Sequence, residues 1–349
     1  MGLSQIRGAL LEELVLHLLE KVGYRNVLAF EEGTEQNSAG LVVRGRGEEH
    51  QIDGLAAFDY TPPFMYPLRL LVEAKCYAEK RPIGIGVVRN AVGVLKDISE
   101  NYFTLQKDGN GTKIQAPRFN YHSALFSTSG YTENAQRFAI AHQIFLIQYE
   151  NIHWFKPVVE GLLSLNETHL SDVEQADGTG LHQFRMHIRY MLQEAGMTFQ
   201  GQLLTAGGFQ HIHDKIITPL LDIKGSYFGM LNGRWPVHLL SNKLLPPAAF
   251  AHTDELKCKI HGKYSSSWAF VPSEFSEGDE RYFRLQFDLP SEILKMLAHV
   301  KDDGLQVADI KEEYFSDLYL SGIIGGIRRQ IKLSLDTEWL LKYRERYEG

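Results

Sequence analysis

The apolar run Leu68-Arg69-Leu70-Leu71-Val72, opened by Pro67 and closed by Glu73-Ala74-Lys75, constrains this chain more than any other segment. A run this short, started by a proline, reads as a buried strand. Side chains alternate along a strand, so Glu73 and Lys75 share one face and Ala74 points to the other. A second strand is predicted over residues 50–58, with Asp53 at its middle. If the two strands pair, Asp53 and Glu73 converge on one divalent cation, since Mg²⁺ is commonly held by one or two carboxylates with water and phosphate completing its shell.

The surrounding pattern places that pair in a layered α/β unit. Over residues 6–22, Leu10, Leu11, Leu14, Val15, Leu18, Leu19 and Val22 recur at helical spacing, and Gly23 is placed as a stop. At 100° per residue Glu12 falls inside the apolar arc, between Leu19 and Leu16, while Glu13, His17 and Glu20 fall on the opposite, wet face. Glu12 is either a boundary residue that reaches out to water or a third acid aimed at the site. Strands are predicted near 26–30 and 41–43, then the strands of Asp53 and Glu73, with the proline-bearing segment 60–67 as their connection. A helix over 83–98, opened by Gly84-Ile85-Gly86, a polar excursion over 101–120, a strand over 122–128, a helix over 132–142 capped by Thr132 and a strand over 144–149 follow. Successive strands before the first crossover favour a mixed sheet covered by helices on both faces.

With 349 residues the chain accommodates two domains, and the texture changes at about residue 151. The expected division is 1–150 and 151–349. The second part begins with helices over 154–165 and 181–194. It continues as an α+β unit with strands near 227–231, 235–240, 256–261, 267–271 and 282–287, and helices near 291–299 and 337–347. The two cysteines, Cys76 and Cys258, are far apart and read as free thiols of a reducing cytosol. No signal peptide and no stretch of about 18 apolar residues is evident, so a cytoplasmic protein with no membrane partner is expected. The formal net charge of −7 disfavours broad nucleic-acid binding but leaves room for a local basic surface.

Taken together, these segments resemble the PD-(D/E)XK nucleases in their Mrr-like restriction-endonuclease branch, over roughly the first 150 residues. Gly8 to Glu13, running into Leu18 to Tyr24, is similar to the family's opening helix, whose glutamate falls on Glu12. Ile52-Asp53-Gly54-Leu55-Ala56 resembles its metal-binding aspartate motif and Leu71 to Cys76 its E-x-K strand. Val87 to Gly93 is similar to its second helix, and Ala124 to Thr132 to its later strand and turn, with 135–147 completing the pattern. The chain departs from the family in having Arg89 or Asn90 where a glutamine is common, and Gln51-Ile52-Asp53 where Gly-Gly-Asp is common.

The resemblance implies a restriction-endonuclease-like mixed sheet flanked by helices, and metal-dependent hydrolysis of DNA phosphodiesters in restriction or anti-phage defence. Asp53, Glu73 and the Ala74 carbonyl would hold Mg²⁺, for which Mn²⁺ substitutes, and Glu12 would steer a second metal or a water. Lys75 would act on the attacking water and the developing charge. Two flanking carboxylates raise an ammonium's pKa, which favours an electrostatic role over that of a base. Arg89, Asn90, Ser127 and Ser129 are candidate nucleic-acid contacts, although turn capping explains the serines equally well. Cutting both strands calls for a homodimer or higher homo-oligomer, and a defence setting implies a partner protein from the same operon.

Two rival readings stand beside this one: a noncatalytic nucleic-acid-binding or scaffold protein that keeps the fold, and a nuclease acting on RNA or branched DNA. His211-Ile212-His213-Asp214 has the spacing of a two-histidine strand face suited to zinc, but also suits a polar helix surface. Arg328-Arg329-Gln330-Ile331-Lys332 is either a phosphate-contacting segment or a solvated strand end.

Overall fold

The computed structural model describes residues 2–28, 31, 33–37, 40–78, 81–101, 105–107, 113–115, 117–170, 179–193, 204–262, 268–300 and 303–347. Residues 29–30, 102–104, 108–112, 116, 194 and 267, which belong to segments assigned above, lie outside the described residues. By internal contacts the chain forms two compact units. The first takes in Met1–Leu146 and Glu160–Thr218, the second Ile147–Val159 and Pro219–Gly349. Residues 160–218, which the sequence groups with the second part, therefore contribute to the first unit.

The first part of the chain runs α1 (Leu3–Glu20), β1 (Tyr24–Asn26), β2 (Thr34–Asn37), β3 (Gly40–Arg44), β4 (Glu49–Gln51), β5 (Gly54–Phe58), β6 (Leu68–Lys75), α2 (Ile85–Ser99), β7 (Leu105–Lys107), β8 (Lys113–Gln115), β9 (Asn120–Ser127), α3 (Glu133–Ala141) and β10 (Ile144–Gln148). It continues with α4 (Lys156–Ser164), α5 (Thr179–Gln193), α6 (Ala206–Ile212) and α7 (Thr218–Leu221). Five strands form a mixed sheet in the order β1-β5-β6-β9-β10, antiparallel between β5 and β6 and parallel between β6 and β9. Gly23, at φ 95°, ends α1 as a left-handed stop. The Thr132 hydroxyl accepts the Ala135 amide and starts α3. Segment 60–67 connects the antiparallel pair β5 and β6, as its prolines require.

Three expectations change. Residues 50–58 are not one strand: β4 pairs with β3 in a separate three-stranded sheet, β5 pairs with β6, and Asp53 lies on the bend where the chain passes from one sheet to the other. The first crossover consequently follows six strands, two more than the segments predicted. Third, the face of α1 assigned to water is covered, with Glu13 1% exposed and α5 packed along the helix. Burial, with Lys21 nearby, depresses His17 to a pKa of about 4. Packing of α1 on the sheet is close at Gly54, where a Cβ would sit 3.2 Å from a Leu16 methyl.

The second unit contains β11 (Gly225–Leu231), β12 (Trp235–Ser241), β13 (Glu255–His261), β14 (Trp268–Pro272), β15 (Leu285–Phe287), α8 (Ser291–His299), α9 (Gly304–Phe315), β16 (Asp317–Ile324), β17 (Ile327–Leu335) and α10 (Thr337–Glu345). Its strands close into a seven-stranded barrel, β11-β12-β15-β14-β13-β17-β16, which refines the expected α+β unit. Phe315 fills the interior against Trp268, with ring centres 5.6 Å apart, and against Phe270 and Phe287. The basic segment 328–332 is part of barrel strand β17, where Arg329 bonds Asp254 and the Phe250 carbonyl and Lys332 pairs with Asp317 and Glu255. Among the described residues no helix is long and apolar enough to cross a membrane.

Candidate active site

The β6 strand carries Glu73 and Lys75 on the face of Leu71, while Leu70, Val72 and Ala74 point to the other. Gly54 pairs with Val72, so the register extended by one residue sets Asp53 opposite Glu73. The bend at Asp53 thus achieves what a continuous strand was expected to do. Lys75 Nζ lies 3.0 Å from Glu73 Oε1 and 3.6 Å from Asp53 Oδ2. All three side chains are half-buried, at 23% exposure for Glu73, 27% for Lys75 and 31% for Asp53, so they are partly desolvated yet open to a ligand.

Burial raises the Glu73 carboxyl, and the charge of Asp53 adds to the rise while Lys75 opposes it. Burial works against the Lys75 ammonium, but Glu73 and Asp53 outweigh it and hold the group above its ordinary value. The lysine is therefore a fixed positive charge near neutral pH and not a proton acceptor.

Glu12 is buried on α1 and is engaged by a residue that the first 150 positions do not contain. Arg185, on α5, donates to Glu12 Oε2, to Glu13 Oε1 at 3.1 Å and to the Asp53 main-chain carbonyl at 3.4 Å. One turn on, Arg189 donates to both oxygens of Glu13. Burial is the largest cause, and the Asp53 charge the second, of a Glu12 pKa raised to about 7 against the pull of Arg185. Four carboxylates and three cations are thereby tied together around the start of β5 and the end of β6. The missed residues Glu13, Arg185 and Arg189 had one local signal, the i, i+4 spacing of the two arginines on a single helix face.

The remaining candidates divide. Ser127 and Ser129 are wholly buried; the Ser129 hydroxyl donates to the Arg81 carbonyl at 2.9 Å and the Ser129 amide donates to Ser127 Oγ at 3.0 Å. These hydroxyls brace the turn after β9, which corrects their assignment as phosphate contacts. Arg89 and Asn90 are exposed on α2, with the Arg89 guanidinium 5.7 Å from the Phe138 ring centre. His211 and His213 lie on a helix and the turn that continues it, not on a strand. His211 Nε2 is 2.9 Å from the Gly161 carbonyl and His213 pairs with Asp214.

Among the described residues no three His, Cys, Asp or Glu side chains are grouped to hold a metal ion. Two carboxylates, Glu73 on β6 and Asp53 on the bend before β5, nevertheless fit as hard oxygen donors the sparse protein shell that Mg²⁺ or Mn²⁺ takes when water and phosphate supply the rest. Ala74, between Glu73 and Lys75, is buried in β6 and paired with Phe126 of β9.

No family model matches this chain, and no curated protein matches it. Among solved structures the chain is similar to the crystal structure of a protein of unknown function, AF1548, at 17% identity and a TM-score of 0.30, over 52% of this chain and 78% of that one. A likeness of that size carries no argument about fold or function.

Proposed function

We propose that this protein is a divalent-metal-dependent endonuclease of the PD-(D/E)XK, Mrr-like kind, with a restriction-endonuclease-like sheet, that hydrolyses DNA phosphodiester bonds. The observation that carries the reading is Lys75 Nζ set between Glu73 and Asp53 at 3.0 and 3.6 Å. Asp53 and Glu73, with the Ala74 carbonyl, would hold Mg²⁺, or Mn²⁺ in its place. When bound, the ion supplies Lewis-acid polarisation of a phosphate and an acidified water. Lys75 stays protonated, orients a phosphate oxygen and stabilises the negative charge that grows on the non-bridging phosphate oxygens in the transition state. Exclusion of water around the buried Glu12 strengthens these interactions. The setting would be cytoplasmic restriction or phage defence with an operon partner, in a homodimer that places one site on each strand.

One observation favours a second reading, a nucleic-acid-binding or scaffold protein without turnover: Arg185, Arg189 and Lys75 already neutralise most of the acidic cluster. End-labelled duplex DNA, branched DNA, single-stranded DNA and RNA, incubated with the protein and Mg²⁺, separate the readings. Duplex cleavage is expected. Cleavage of RNA or branched DNA alone transfers the same chemistry to another substrate, and binding of every substrate without cleavage supports the second reading.

A further inference from the structure

The two acidic groups near Asp53 are not equivalent. Glu73 faces it through a lysine that also contacts Asp53, with Asp53 on the bend next to β5, whose pairing with β6 is set by the sheet. Glu12 comes from α1 and is held by an arginine from α5, which reaches the Asp53 main chain with the same guanidinium. A guanidinium is a permanent cation with a planar fork of donors, suited to bridging two carboxylates and a carbonyl at once. Arg185 does this, and it cannot leave Glu12 without also abandoning Glu13, whose carboxylate has no solvent exposure. A hydrated ion arriving at Glu12 would have to displace a bonded charge and leave a second buried acid with fewer donors.

We propose that Arg185 is the resident cation of the Glu12 side of the site, so that the protein binds a single divalent ion, at Asp53 and Glu73, and none at Glu12. This rests on the metal-dependent reading above and narrows it. Arg185 is a positioning residue in this account: it fixes the Asp53 main chain and fills by covalent attachment the place that a second ion occupies in two-metal sites. On this proposal Glu12, which the resemblance implies steers a second metal or a water, is engaged by an ion pair within the chain instead.

The test counts ions without reference to cleavage. Mn²⁺ is titrated into wild type, Glu12→Gln, Arg185→Lys, Arg185→Ala, the Arg185→Ala/Glu12→Gln double variant and Asp53→Ala. Free Mn²⁺ is read by electron paramagnetic resonance, and thermal melts are run on each protein. The expected result is one ion for wild type, Glu12→Gln and Arg185→Lys, with Glu12→Gln keeping the wild-type affinity within about threefold. Arg185→Ala gains a second ion, the double variant loses it again, and Asp53→Ala binds none. Two ions on wild type, or a tenfold loss of affinity in Glu12→Gln, overturns the proposal even if Arg185→Ala fails to fold. A folded Arg185→Ala that still binds one ion overturns it as well. Wild type binding no Mn²⁺ is a different failure, since it removes the metal-dependent reading itself and this inference with it.

Discussion

Truncation of Arg189 to alanine tests how the buried acid on α1 is tolerated. Glu13 has no exposed carboxylate surface and receives three hydrogen bonds, two from Arg189 and one from Arg185. Arg189→Ala removes two and leaves one. Hydrogen bonds to charged groups contribute about 1.5–3 kcal/mol each, and a buried acid stripped of all partners costs about 3–5 kcal/mol. Arg189 is itself 24% exposed and regains water in the unfolded chain, while Arg185 remains as a partner; the net expected loss is about 2–3 kcal/mol. For a unit of this size that corresponds to a drop of about 4–12 °C in the midpoint followed by far-UV circular dichroism. Arg137→Ala, which removes an exposed i, i+4 pair with Glu133, is the matched control and leaves the midpoint unchanged. Glu13→Gln in the Arg189→Ala background recovers part of the loss, because the two residues act through one contact. A destabilisation by Arg189→Ala below about 0.5 kcal/mol refutes the claim that α5 neutralises a buried charge on α1.

Two further predictions concern the second unit, which holds all four tryptophans and is therefore followed by their fluorescence. Burial raises the Asp288 carboxyl to about 7 despite hydrogen bonds from Asn151. The folded state then binds more protons than the unfolded state between pH about 4 and 7, so stability falls across that window as pH rises, by roughly 2–4 kcal/mol. Asp288→Asn flattens this slope in urea unfolding at pH 4.5 and 7.5, and an unchanged slope contradicts the assignment. At Gly322 an added Cβ would lie 2.2 Å from the buried Tyr227 ring, so Gly322→Ala costs about 1–3 kcal/mol by overpacking, read as a lower urea midpoint. An unaltered midpoint shows that the barrel wall between β11 and β16 gives way freely.

What was legible in the sequence was local. The period of α1, the apolar run of β6, the Thr132 cap and the strand alternation of Glu73 and Lys75 each depend on neighbours within a few residues, and the structure contains them. Asp53 was found beside Glu73, but by a bend, because the choice of sheet for β4 and β5 depends on partners far along the chain. Glu13 read as solvated since its helix alone offers no sign of the α5 helix that covers it, 172 residues away. Closure of the barrel depends on the parallel pairing of β13 with β17 and on β11 meeting β16, neither visible in any window. One further signal is local: Gly325-Gly326, at φ 62° and 78° between Ile324 and Ile327, is a two-residue hairpin turn joining β16 and β17.

The central claim is that Asp53, Glu73 and Lys75 form a metal-dependent phosphodiesterase site. Supercoiled plasmid incubated with wild type and Lys75→Ala, with Mg²⁺ and with chelator, tests it most directly when thermal melts of both proteins accompany the gel. The account predicts nicking or linearisation by wild type with Mg²⁺ only, loss of at least about a hundredfold in Lys75→Ala, as for removal of one transition-state charge partner, and a melting midpoint little changed. Cleavage that survives in Lys75→Ala, or that proceeds equally in chelator, contradicts it.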